Sequence, residues 1–360
     1  MADRTLLVEA HRAAQEFYER ELLRARGLWP AQYLAARRLD HVIAIGARWP
    51  IGYAPPGWSN LVDHLRSQGL DDASMMEAGL ATVTSNGYLI DRFRDRLMFA
   101  AHDERLDMVG FVGRGRGGAT KYLNTPTTSI YQKSRTLVGV AEQQDLLSRG
   151  GIPVFVEGPV DALAVDVLSR STRSGWVGVS AAGTALSAAQ VAILDGVATS
   201  EIAIVATDGD TGGRAAAIRW LEPLSSRFPE VLCAEIPAGH DPSSLFSSRR
   251  GADRLYQALS FPRPLLDVAI DSELARWSRV IDHISGRVGA LRAVAPLVVR
   301  LPKDRVAAEV LRLSRLLELD EATVSRELIQ AVDQPARRTA ESGRRQALRD
   351  PDPPGRGPLL

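Results

Sequence analysis

The stretch from Ile152 to Arg214 constrains the fold more than any other part of the chain, because it uses one plan twice. IPVFVEGPVDALAV at its start and EIAIVATDGDTGGRAAA at its end each open with a short apolar, β-branched run of the kind that forms a buried strand. Each run breaks off at acidic residues and glycine and then passes into a helix-forming segment. Between them WVGVS reads as a strand and SAAQVAILDG as a helix with Ser187 at its N-cap, and VLCAEIP follows as a further strand. Strands alternating with short helices predict right-handed crossovers and a mostly parallel sheet. Ligand and catalytic groups of such sheets collect at the carboxyl ends of strands. That rule puts Glu157 at one strand end and Asp208 and Asp210 at another, where the carboxylates can converge on a cation.

At 360 residues and 45% hydrophobic content the chain can bury a large core, and its length suggests two or three domains or subdomains. Lys and Arg number 44 against 43 Asp and Glu, so any basic surface has to be local. The single Cys233 excludes a disulfide framework and a cysteine-rich zinc site built from this chain, and the six His lack ligand spacing. With no long uncharged apolar run, and with a start too charged for a secretory signal, a soluble cytoplasmic protein without membrane contact is expected.

Before the central stretch the pattern is mixed. LLVEAHRAAQEFYERELLRAR and AQYLAARRL carry helical periodicity, WPIGYAPPGW reads as a loop, and NLVDHLRSQG and DDASMMEAG resume helix. RLMFAA and MVGFVG, split by a charged turn, predict an antiparallel hairpin. KYLNTPTTSIYQKSR reads as a loop, and LVGVAEQQDLLSRG as a helix stopped by its Gly pair. After the sheet, PLLDVAIDSELARWSRVIDHIS through DEATVSRELIQAV is helical, with Pro296 and Pro302 as breaks. The expected organisation is an α+β N-terminal subdomain over 1–150, an α/β, Rossmann-like, mostly parallel domain over 151–260, and a helical subdomain over 261–332. The Pro-, Gly- and Arg-rich tail, 333–360, is expected to be disordered.

Two features carry chemistry. Mg²⁺ and Mn²⁺ take hard oxygen ligands and keep several waters, so a nucleotide-handling site needs few carboxylates. Asp208 and Asp210 suit this, with Gly209, Gly212 and Gly213 admitting backbone close to a polyanion and Arg214 at the start of a helix whose N-terminus favours phosphate. DGDTGG alone would also suit an ordinary turn. Glu157, Gly158 and Asp161 repeat the device on a neighbouring strand, although an acid in a first helical turn is also favoured by the dipole. The second feature is a basic stretch: Arg92, Arg94, Arg96, Arg114, Arg116, Lys121, Lys133 and Arg135, with Tyr122 and Tyr131 among them, form either a stripe for phosphates and stacked bases or a solvated face.

VFVEGPVDALA followed by IVATDGDTGGRAA resembles the Toprim domain shared by bacterial primases, topoisomerases and some nucleases. IGYAPPGWSNLVDHL, FRDRLMFAAHDERLDMVGFVGR, KYLNTPTTSIYQKSRTLVGV, SAAGTALSAAQVAIL and IPAGHDPSSL stand in the order of a bacterial DnaG-type primase core, and the resemblance runs from about Leu6 to about Leu328. It implies that Glu157, Asp161, Asp208, Asp210 and Asp241 hold divalent metal, two Mg²⁺ or Mn²⁺ ions and no zinc, with Glu157, Asp208 and Asp210 catalytic. Glu157 as a general base stays open beside Glu157 as a ligand. It also implies that Arg96, Arg114, Lys121, Tyr122, Asn124, Lys133 and Arg135 contact template or nucleotide, whereas Arg37 and Arg38 are set apart because helix faces are often solvated by arginine. The family's later motif has an acid two residues after the first; here Ser243 follows Asp241 and Pro242, which puts a second or third metal position in question. With one cysteine, the family's N-terminal zinc ribbon is not expected within this sequence.

The resulting expectation is a DNA-dependent RNA polymerase that makes short RNA primers from ribonucleoside triphosphates on single-stranded DNA. A replicative helicase or a separate zinc-ribbon protein would be its further partners. A Toprim-type nuclease, or a non-catalytic single-strand-binding module, are the alternatives. A topoisomerase would need a tyrosine nucleophile in a separate domain, a context that none of the seven tyrosines has.

Overall fold

The computed structural model describes residues 3–44, 47–117 and 120–332, which form two compact units, one ending at Leu265 and one beginning at Leu266. In the first, α1 (Arg4–Arg24) buries Leu7, His11, Ala14, Tyr18 and Leu22, the stripe that helical periodicity dictates. After α2 (Trp29–Ala36) come β1 (Gly52–Ala54), α3 (Asn60–Ser67), α4 (Asp72–Glu77) and a small hairpin, β2 (Ala81–Val83) with β3 (Leu89–Asp91). Then β4 (Arg96–His102), β5 (Met108–Gly115) and β6 (Tyr122–Asn124) complete an antiparallel sheet of order β1-β4-β5-β6. The β4–β5 hairpin is the one the sequence predicts. Its two edge strands lie in WPIGYAPPGW and KYLNTPTTSIYQKSR, read above as loops: three residues are too few to show a two-residue alternation, and Pro, Gly and Asn around them carry turn signals. Gly52 is required where α1 crosses β1, since a Cβ there would sit 2.3 Å from the Tyr18 Cβ.

The predicted helix before the second sheet contracts to α5 (Gln144–Ser148), closed by Gly150 at φ +93°. Then β7 (Ile152–Val156), α6 (Pro159–Thr172), β8 (Trp176–Ser180), α7 (Ala188–Ala192), β9 (Ile202–Val205), α8 (Thr211–Ser225) and β10 (Glu230–Cys233) alternate as expected. They are followed by α9 (Pro242–Ser247), α10 (Gly251–Ser260) and a two-residue strand, β11 (Arg263–Pro264). The sheet order is β11-β10-β9-β7-β8, parallel from β10 to β8 and antiparallel only at β11. Val154, Phe155 and Val156 are wholly buried, which is why β7 reads as an unbroken apolar run rather than an alternating one. From β7 the chain goes out to β8 on one side and returns to β9 on the other, so the order reverses between β7 and β9. The crevice that opens at such a switch point is where open parallel sheets bind ligands.

The second unit contains α11 (Leu265–Trp277), α12 (Ile284–Val298), α13 (Lys303–Leu317) and a further helix over 321–332, packed around Leu291, Val294, Leu313, Leu317 and Val324. Pro302 is the N-cap of α13, but Pro296 lies inside α12 rather than breaking it. Two residues from the helix end, its missing N–H removes only a bond of the last turn. The expected tail, 333–360, lies outside the described residues. No helix among the described residues is long and apolar enough to cross a membrane.

Candidate active site

Glu157 follows β7 directly, and its Oε1 accepts a 3.4 Å hydrogen bond from the Asp208 N–H, which ties the end of β7 to the loop after β9. The Glu157 carbonyl accepts from the buried Ser180 hydroxyl at 3.0 Å, so the end of β8 fixes the same turn. Asp210 is the N-cap of α8, with Oδ1 accepting from Gly213 N–H at 2.7 Å. The glycines of DGDTGG make room for backbone: a Cβ on Gly213 would stand 2.1 Å from the Asp208 carbonyl oxygen, and one on Gly209 would stand 2.2 Å from the Pro237 oxygen. Gly209 N–H donates to the His240 carbonyl at 2.8 Å, which brings the loop carrying Asp241 against the loop carrying Asp208.

Asp241 in turn caps α9, accepting from Ser244 N–H at 2.6 Å and from the Ser243 hydroxyl at 2.8 Å. Ser243 N–H donates to Asp161 Oδ1 at 3.0 Å, and Arg37 Nε donates to Ser243 Oγ at 3.3 Å. Ser243 therefore holds Asp161, Asp241 and Arg37 together at the position where an acid would have faced two acids.

Electrostatically this is a region of negative charge held out of water. Burial, and then Asp241, push the Asp161 carboxyl up to about 8. Burial, then Glu157 and Asp241, push Asp208 up to about 7, with Lys121 acting against them. Glu157 is raised by burial and by Asp210, and lowered by the Asp208 N–H, Lys121 and Arg219. Burial acts upward on Asp241 too, yet Ser244, Ser243 and Arg37 together hold it below the usual range.

A hard divalent cation fits this donor set. The groups are oxygens only, and each of Glu157, Asp161 and Asp208 is destabilised by another carboxylate that a cation would compensate. Among the described residues no three acidic, imidazole or thiol groups form a tight cluster. An ion that keeps much of its water needs no such cluster.

The basic residues divide. Arg114, on β5, is buried with its guanidinium 3.9 Å from the Tyr33 ring centroid, and Arg37 lies 3.9 Å from the same centroid. Lys121 lies 5.7 Å from the Tyr122 ring and acts on both Glu157 and Asp208. The Tyr122 hydroxyl reaches the turn after β7, 2.7 Å from where a Gly158 Cβ would be. Asn124 follows on β6 with a buried Oδ1 that has no hydrogen-bond partner among the described residues, and Lys133 approaches the Gly183 turn, its Nζ 2.9 Å from a Cβ placed there. Arg96 donates to the carbonyls of Gly113 and Thr120, at 3.2 and 3.3 Å, bracing the loop before Lys121. Arg135, more than half exposed, pairs with Glu104 at 3.6 Å. Sequence reasoning missed Tyr33 and set aside Arg37. Their spacing of four, from Tyr33 in α2 to Arg37 at its C-cap, was the available signal, because it brings them to one side of the helix end.

Residues 17–144 match the DNA primase catalytic core, N-terminal domain, and residues 154–246 match the Toprim-like family. The DNA primase of Streptomyces coelicolor is 32% identical over 86% of this chain and 47% of its own length. The chain thus spans about half the length of the curated relatives it matches. The RNA polymerase domain of Mycobacterium tuberculosis primase DnaG is 30% identical with a TM-score of 0.70, covering 87% of this chain and 98% of that one. A DnaG primase catalytic domain bound to single-stranded DNA is 28% identical with a TM-score of 0.66, covering 88% of this chain and 98% of that one.

Proposed function

The chain belongs to the DnaG-type primase catalytic-core family, and on that premise we propose that it copies single-stranded DNA into short RNA by divalent-metal-dependent nucleotidyl transfer. The observation that carries the reading is the meeting of Glu157 and Asp208 at the switch point between β7 and β9, with the charge of Lys121 favouring the ionised form of both. Two Mg²⁺ or Mn²⁺ ions are what Glu157, Asp208 and Asp210 would hold, with Asp161 and Asp241 adjoining, and when bound they stabilise charge developing on the transferring phosphate and the leaving pyrophosphate.

The chain's own groups bind and orient. Lys121 and Arg219 bring positive charge to the rim of the carboxylates, where an incoming triphosphate needs it. The N-terminus of α8 offers backbone N–H groups to the same anion. Arg114 is fixed over Tyr33 and so offers a preset guanidinium beside Tyr122, while Asn124 and Lys133 extend this polar surface and Arg96 supports its loop. Arg135, exposed and only loosely paired with Glu104, can extend the same surface toward template.

Incubating the chain with single-stranded DNA, ribonucleotides and Mg²⁺ or Mn²⁺ is expected to yield short RNA. Asp208→Ala is expected to lower the rate by roughly a hundredfold or more. No product under either metal across varied templates, or an undiminished rate in the variant, overturns the reading. Nicking of DNA without nucleotides would point to a nuclease instead.

A further inference from the structure

Beyond β10 the row of strand ends continues into an open groove of about 830 Å³ lined by Glu235, Pro237, Asp253, Arg249, Arg250 and Arg254. Glu235 is already paired with Arg263 at 3.6 Å, whereas none of the three groove arginines makes an ion pair or a side-chain hydrogen bond to the described residues. All three are solvent-exposed. They crowd at the start of α10, where the helix dipole disfavours cations, and Arg250 and Arg254 are one turn apart, a repulsive spacing for like charges. Arg250 also stands at φ 55°, a conformation that costs a branched-Cβ-bearing or other L side chain free energy. Local stability thus works against this arrangement, and Asp253 is the one carboxylate in the groove left to offset it. A polyanion would relieve the electrostatic part of this cost.

The groove also adjoins the acidic centre. Pro237, on its wall, has its carbonyl packed against Gly209, between Asp208 and Asp210. Positive charge therefore comes to the acidic loops from two parts of the chain, Lys121 just before β6 and, across Pro237, the arginines at the start of α10. The volume is that of a ligand pocket, but an open, arginine-lined wall suits a phosphodiester backbone better than an enclosed apolar molecule.

We infer that this groove is a second nucleic-acid contact, which grips the phosphate backbone of a strand leaving the acidic centre. The identity of the ligand rests on the proposed function; the site does not depend on catalysis, so it is tested by binding. Fluorescence anisotropy of the full chain with a labelled RNA–DNA hybrid carrying a single-stranded overhang, without divalent metal, is measured across a salt series. Arg249→Ala/Arg250→Ala/Arg254→Ala is expected to weaken binding about tenfold at moderate salt and to reduce the logarithmic salt slope by roughly two. Replacing the same residues with Lys, which keeps the charge, is expected to restore the slope. Unchanged affinity and slope in the Ala variant, with an unchanged melting temperature certifying the fold, overturns the inference. A variant that loses only affinity for a fluorescent ATP analogue or pyrophosphate, and keeps its hold on the hybrid, overturns it as well. If no RNA is synthesised by the wild type yet the salt slope falls in the variant, the polymerase reading fails and this one stands.

Discussion

His11 is wholly buried on α1, its ring 5.7 Å from Phe111 and its Nδ1–H donating to the Leu7 carbonyl at 2.7 Å. Burial outweighs that bond and lowers its pKa to about 4. Between that value and the ordinary 6.5 the unfolded chain binds a proton that the folded chain refuses, so stability is complete above pH 6.5 and falls as pH drops toward 4. The loss is expected to reach about 3 kcal/mol. Urea midpoints for the wild type and His11→Leu across that window check it: the variant's curve should be flatter, and parallel curves would remove His11 as the cause. At this same scale Glu157, Asp208 and Asp210 were legible because the change from apolar run to acid and glycine marks a strand end. The Ser243 hub was not, since its partners Asp161, Asp241 and Arg37 come from three distant segments and no spacing along the chain joins them. The pairing of Arg135 with Glu104 was hidden for the complementary reason: a cluster in sequence does not reveal which acid one of its members meets.

Among elements, the ones longest or most regularly patterned were read well, while β1, β6 and β11, each two or three residues, exist through their pairing rather than through any pattern of their own. Close approaches between elements were equally hidden. On β8 a Cβ at Gly178 would come within 2.0 Å of the Ala162 carbonyl oxygen on α6, a backbone atom that has nowhere to go. Gly178→Ala is expected to destabilise the chain by about 3 kcal/mol, by forcing α6 off the sheet. Gly27→Ala, with nothing within 4 Å of the new methyl, is expected to change stability by about 0.5 kcal/mol or less. Denaturation midpoints measured side by side distinguish a packing effect from a general intolerance of glycine replacement. Because α6 also starts one residue after Gly158 and carries Asp161, loss of its seat should disturb the acidic centre as well.

For the whole molecule, the division at Leu265 is a statement about folding. The residues before it hold their own cores around β7 and around α1, and those after it hold another around Leu291 and Val294. A chain ended at Leu265 is therefore expected to unfold cooperatively, with coincident near-ultraviolet and far-ultraviolet transitions; separated or absent transitions would show that the first unit needs the second. The only thiol in the sequence, Cys233, lies on β10 between Val205 of β9 and Arg263 of β11. Burial, with Glu235 nearby, pushes it up to about 11. A protein with one thiol, closed in this way, carries a clock for the breathing of its own sheet edge. At pH 8 an alkylating reagent should modify it orders of magnitude more slowly than a free cysteine, at a rate set by how often β10 and β11 part. Modification at the free-thiol rate would mean that this edge stands open. A bound strand in the neighbouring arginine groove would slow the clock further, with no nucleotide turned over.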